Sequence, residues 1–124
     1  MRQPEQAFLE QAGLNRRVAE VLLQGNPPIS RQWAITCLFY AALHYVNAHV
    51  SSHGQPVPAD HGARDLWVSR FMRSVYPAYR WLRTRSEGAR YGMRHPGEQE
   101  LEESRRRADA IESFVARRLR HAVH

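Results

Sequence analysis

The chain has 124 residues, 43% hydrophobic and 24% charged, the balance of one soluble globular domain. All 18 basic residues are arginine against 12 acids, which leaves a net charge of +6 and excludes Schiff-base, Walker-type and serine–lysine chemistry. The single cysteine, Cys37, excludes an internal disulfide and a cysteine-built zinc or iron–sulfur site within one chain, and no apolar run approaches the ~20 residues of a membrane span.

Three loop signals cut the chain into four segments with helical periodicity: Gly25–Pro28, Ser51–Pro58 and Glu87–Gly97. The first segment runs from Pro4 to Gln24, with an apolar stripe of Phe8, Leu9, Ala12, Val18, Val21 and Leu22. Gly13 and Asn15 weaken its middle, so it reads as one helix or two shorter ones. The second runs from Ser30, a candidate N-cap, to Ser51. Its stretch from Trp33 to Leu43 is apolar almost all round, the pattern of the central, most buried helix. Alanines 41, 42 and 48 permit close helix approach.

The third segment runs from Asp60 to Arg85, with Leu66, Trp67, Phe71, Val75, Ala78 and Leu82 at three-four spacing. Pro77 predicts a kink or break inside it. The fourth runs from Gly97 to Ala122 with a stripe of Leu101, Ala108, Ile111, Val115 and Leu119. Glu98, Glu100, Glu102 and Glu103 crowd its start and Arg117, Arg118, Arg120 and His121 its end, complementing the helix dipole. No strand pattern is present. A single all-α domain over residues 1–124, a four-helix up-and-down antiparallel bundle, is the expected fold. The N-terminal residues lack the apolar core of a signal peptide, so the expectation is a cytoplasmic protein with no membrane partner.

Charge is unevenly placed. No acid occurs between Val21 and Ala59, whereas residues 60–95 hold eight arginines and three acids, interleaved with Trp67, Phe71, Tyr76, Tyr79, Trp81 and Tyr91. Guanidinium forks match phosphates and stack on bases, which reads as a face for RNA or another polyanion. The same pattern suits a solvated helix face whose arginines cover aromatic core residues.

A more specific stretch begins at Trp33 and continues Leu38-Phe39-Tyr40-Ala41-Ala42-Leu43-His44-Tyr45-Val46-Asn47-Ala48. It is followed by His61-Gly62-Ala63-Arg64, by Tyr79, Leu82 and Ser86, and by Ala89-Arg90-Tyr91. Over residues 30–95 this resembles the HEPN superfamily, in particular its small stand-alone bacterial members. The resemblance implies an all-α HEPN-like bundle and a homodimer. It implies RNA or nucleotide binding and a metal-independent endoribonuclease of a toxin–antitoxin or defence system, with an antitoxin or other protein as a further partner. It also implies the alternative of a non-catalytic helical interaction module. No cofactor or metal is expected.

The family's signature is an arginine, four to six residues, then a histidine. Arg90 and His95 fit it, as do Arg117 and Arg118 with His124, so position rather than spacing selects Arg90 and His95. In that role Arg90 stabilises charge on the phosphorane and His95 moves the proton. His44, on the apolar helix, is the second candidate base, or else a core histidine. His61 and Arg64, one turn apart at a helix start, either bind a phosphate or cap the helix. Tyr91 and Arg90 either bind RNA or pin a loop to the bundle. His44, His49 and His53 lack a nearby carboxylate and read poorly as a metal site. Cys37 reads as a small core residue.

Overall fold

The computed structural model describes residues 4–24, 28–91 and 96–123. They form helices α1 (Pro4–Gln24), α2 (Pro28–Ser52), α3 (His61–Phe71), α4 (Tyr76–Tyr91) and α5 (Glu98–Val123), with a short 3-10 turn at Arg73–Val75 before α4. No strand occurs among the described residues.

Helix α1 spans the first predicted segment without a break. Gly13 costs about 1 kcal/mol of helix propensity, but a helix packed along its length tolerates that. The Asn15 side chain stays local and donates to the Gln11 carbonyl at 3.1 Å. Helix α2 begins at Pro28 rather than at a Ser30 cap. Proline suits the first helical position, because the N–H it lacks would have no partner there. At its far end Gly54 takes φ +70°, while Gln55 N–H reaches the Val50 carbonyl and Gly54 N–H the Ser51 carbonyl. This is a Schellman closure, and it requires a residue without a Cβ penalty.

The third predicted segment divides. Helix α3 stops at Phe71, and α4 starts at Tyr76 with Pro77 in its first turn, where proline is harmless. Among the described residues five α-helices therefore replace the expected four. Helix α4 also runs on through Gly88 to Tyr91, so Arg90 and Tyr91 end a helix rather than sit in a loop.

Helix α2 packs against α1, α4 and α5, and α4 packs on α5. Its residues Ile35, Leu38, Phe39, Ala42 and Val46 are fully buried. Trp33 is 53% exposed, so the buried stretch starts one residue later than its apolar character suggests. Helices α1 and α5 are bridged beside α2: Arg16 pairs with Asp109 at 2.6 Å and Glu112 at 3.2 Å. The Tyr45 hydroxyl donates to Glu112 at 2.6 Å. Burial and the neighbouring carboxylate push that phenol well above its usual range. At the opposite end of α2, Arg31 Nε donates to the Pro96 carbonyl at 2.8 Å and ties down the approach to α5.

Candidate functional site

The chemistry gathers where α2, the start of α3 and the buried face of α4 meet. Asp60 caps α3, accepting from Ala63 N–H at 2.8 Å, and its carbonyl takes Arg64 N–H at 3.1 Å. Those two amides are therefore not free for an anion. One turn into the helix, Arg64 turns inward and is only 7% exposed. Its Nε donates to Asn47 Oδ1 of α2 at 3.1 Å, and its Nη2 to the Pro58 carbonyl at 3.1 Å. Both partners are neutral. No carboxylate lies within ion-pair distance of Arg64 among the described residues.

That arrangement is costly in isolation. A buried charge is normally paired with its opposite, and the penalty of leaving it alone is several kcal/mol. The acid next in sequence does not serve: Asp65 is taken by Arg83, and by Arg80 at 3.1 Å. Arg83 reaches Glu87 as well, at 3.2 Å.

Three further polar groups surround Arg64. His44, on α2 one turn before Asn47, stacks on Phe8 of α1 with ring centroids 6.2 Å apart. Its Nδ1 is buried without a hydrogen-bond partner. Burial, then the Arg64 charge, hold this imidazole neutral by lowering its pKa. His61 packs its ring 5.9 Å from Phe39, and its Nδ1 is likewise buried and unpartnered. Its pKa is also lowered, first by burial and then by the charges of Arg83 and Arg64. Tyr79, fully buried on α4, lies 5.8 Å from the same Phe39 ring. Burial pushes its phenol up to about 12 even beside Arg64. The guanidinium acts on it at close range, but the hydroxyl makes no hydrogen bond of good geometry. Two turns along α4, the Ser86 hydroxyl is buried and unpartnered too.

Of the candidates taken from sequence, the structure brings His44, His61 and Arg64 together. Arg90 and Tyr91 close α4 one turn beyond Ser86; their side chains, and all of His95, lie outside the described residues. Asn47 and Tyr79 belong to the site but were not singled out as functional. The signal for them was register: Asn47 is three residues from His44, and Tyr79 and Ser86 share a face of α4 at a spacing of seven.

A second histidine on α2 behaves differently. His49 is fully buried, and its Nδ1 accepts from Trp67 Nε1 at 3.0 Å, which places its proton on Nε2. Its ring packs 5.6 Å from Phe114 and 4.5 Å from His53. Burial, followed by the charges of His53 and Arg118, pushes its pKa down to about 4. His53 Nδ1 is 2.9 Å from the His49 carbonyl. His49 is built into the packing, with its Nε2 buried and without a hydrogen-bond partner, while His53 is exposed beside it. Cys37 sits half-buried at the edge of the core, its thiol pushed up by burial.

The arginine-rich stretch divides between the two readings of its charge. Arg85 pairs with Glu100 at 3.3 Å and covers the Trp81 ring, which Arg107 of α5 covers from elsewhere. Arg80 and Arg83 are engaged by acids. Arg70 and Arg73, by contrast, have no acid partner among the described residues.

No family model matches this chain, and neither a curated protein nor a solved structure is significantly similar to it. Among the described residues no three His, Cys, Asp or Glu side chains converge as metal ligands, and no helix is long and apolar enough to cross a membrane.

Proposed function

We propose that the protein is a HEPN-like helical protein that binds RNA or a nucleotide, with the junction around Arg64 as its phosphate site. The observation that carries the reading is the buried Arg64 guanidinium without a carboxylate. A guanidinium has five N–H donors, and two bonds to the chain leave others for an anion. A phosphate would complete the pairing that the protein itself withholds.

The neighbouring imidazoles support a catalytic version of the same reading. His44 and His61 are both held neutral, the state in which an imidazole accepts a proton from a ribose 2′-hydroxyl. Arg64 beside them would offset charge on the phosphorane. Arg90 and His95 remain part of this proposal as the pair with the family spacing, and Arg90 and Tyr91 lie one turn past Ser86 on α4. Dimerisation belongs to it as well: Leu14, Val18 and Val21 form an exposed apolar stripe on α1. An antitoxin or other protein partner would compete for the same kind of surface.

The second reading is a non-catalytic interaction module. It is favoured by the two hydrogen bonds of Arg64, which hold the α2–α3 loop to α2 and so give that residue structural work. The two separate in one assay. RNA cleavage is measured with a chelator present for the parent, His44→Ala, His61→Ala, Arg90→Ala and His95→Ala. Cleavage lost in at least one variant supports the ribonuclease. Salt-dependent RNA binding without cleavage supports the binding protein. No binding at low salt leaves the interaction module.

A further inference from the structure

Beside the α2–α3 loop an open cavity of about 270 Å³, whose lining does not include Arg64, is walled by Trp67, Phe71 and Leu66 of α3 and by Pro56 of the loop. Gln55 and Arg70 are the polar side chains at its edge. We propose that this cavity is a base-binding subsite for a nucleotide: the base stacks on the Trp67–Phe71 pair and Arg70 takes the attached phosphate.

Four observations lead there. The walls are flat and aromatic. Trp67 and Phe71 have centroids 4.3 Å apart, and Phe71 and Leu66 are 52% and 51% exposed. Side chains of that size are normally covered, and stacking surfaces for bases are a recognised exception. The platform is held in place: the Trp67 indole N–H is spent on buried His49 Nδ1, which fixes the ring from behind. The charge is one-sided, since no acid lines the cavity and Arg70 has no acid partner among the described residues. A phosphate complements that rim, and a neutral aromatic does not. Finally, the volume lies at the small end for ligand pockets, which fits a single ring system rather than a helix or an extended peptide. The Gln55 amide offers both a donor and an acceptor to a base edge.

The inference deepens the RNA- or nucleotide-binding reading and rests on it for the ligand class. It is independent of Arg64, because the cavity is lined by different side chains. Pro58 joins the two places, as its carbonyl accepts from Arg64 while the residue lines the cavity. A strand with phosphate at the junction and a base in the cavity would cross this loop.

The test uses the full chain and adenosine 5′-monophosphate, uridine 5′-monophosphate, inorganic phosphate and octanoate as separate probes, followed by tryptophan fluorescence. The expected result is saturable quenching by at least one of the two nucleotides and none by phosphate alone. Phe71→Ala and Arg70→Ala should each weaken nucleotide binding at least about fivefold, in the range that one lost base stack produces. Both side chains are exposed, and an unchanged melting temperature shows that each variant is folded. Failure of both nucleotides to bind, variants that bind like the parent, or octanoate binding as tightly as a nucleotide each overturns the subsite. A short single-stranded RNA tested against His61→Ala separates this from the junction. If His61→Ala weakens RNA binding and Phe71→Ala does not, the junction reading stands and the subsite fails. If nucleotides bind through Phe71 while His61→Ala has no effect, the subsite stands and the junction fails.

Discussion

His44 and His49 lie five residues apart on one helix and illustrate opposite uses of the same side chain. His49 is fully enclosed, with one nitrogen hydrogen-bonded by Trp67 and rings packed around it. His44 is only partly buried, its Nδ1 has no partner, and the charge nearest it belongs to an arginine that lacks a carboxylate. Five residues on an α-helix is about 500° of rotation, so the two side chains leave the axis in different directions. One enters the packing between α3 and α5, and the other enters the junction with α1 and α3. Burial of a histidine therefore says little about its role. Both keep one buried ring nitrogen without a partner, Nε2 in His49 and Nδ1 in His44. What distinguishes them is that Trp67 and Phe114 fix the enclosed His49, whereas His44 is only partly buried beside the unpaired charge of Arg64.

The comparison can be broken most forcefully at Phe39, whose ring touches both His61 and Tyr79. Phe39→Ala should cost about 3–5 kcal/mol in urea denaturation, because the cavity it leaves is fully buried. A loss below about 1 kcal/mol would mean that the junction is not supported by the core.

The next largest effect is on the His49 side, and its sign is set by the lowered pKa. The unfolded chain takes up the proton near pH 6.5, whereas the folded chain resists it down to about 4. The stability this confers is fully present above pH 6.5 and is lost as pH falls through about 4, a total of about 3 kcal/mol. Urea midpoints between pH 7 and 4 should show that fall, and His49→Gln should flatten it. An equally steep fall in the variant would assign the effect elsewhere.

Trp67→Phe should be smaller, about 1–2 kcal/mol, because it removes one hydrogen bond and leaves His49 Nδ1 unpaired in a buried place. Thermal melts would measure it. Smallest of all, Arg70→Ala should change stability by less than about 0.5 kcal/mol, since Arg70 is exposed and has no partner among the described residues.

How much of this was legible in the sequence varies by element. Helices α1 and α5 follow their predicted limits, marked by a proline start and an acid-rich start, although the sequence alone does not decide whether Gly13 and Asn15 divide α1 in two. Pro77 signalled a break in the third segment, but its place at Met72 was hidden, since Phe71, Val75, Ala78 and Leu82 keep helical spacing straight across it. The extension of α4 past Gly88 was hidden too, because a glycine costs about 1 kcal/mol in a helix and reads as a loop signal, yet the helix continues through it to Tyr91. At the site, His44, His61 and Arg64 could be named from residue type and spacing. The burial of Arg64 could not. Eight arginines in the stretch look alike on paper, and only the fold places this one beside Asn47 and the Pro58 carbonyl while others meet Asp65, Glu87 or Glu100.

The central claim is that the junction of His44, His61 and Arg64 receives a phosphate from RNA or a nucleotide. The most direct measurement is the affinity of a labelled single-stranded RNA for the full chain, for His44→Ala and for His61→Ala, at two salt concentrations. The account predicts binding by the parent that weakens as salt rises, and at least about fivefold weaker binding by one or both variants at unchanged melting temperature. Parent-like binding by both variants, or no binding by the parent at low salt, would contradict it.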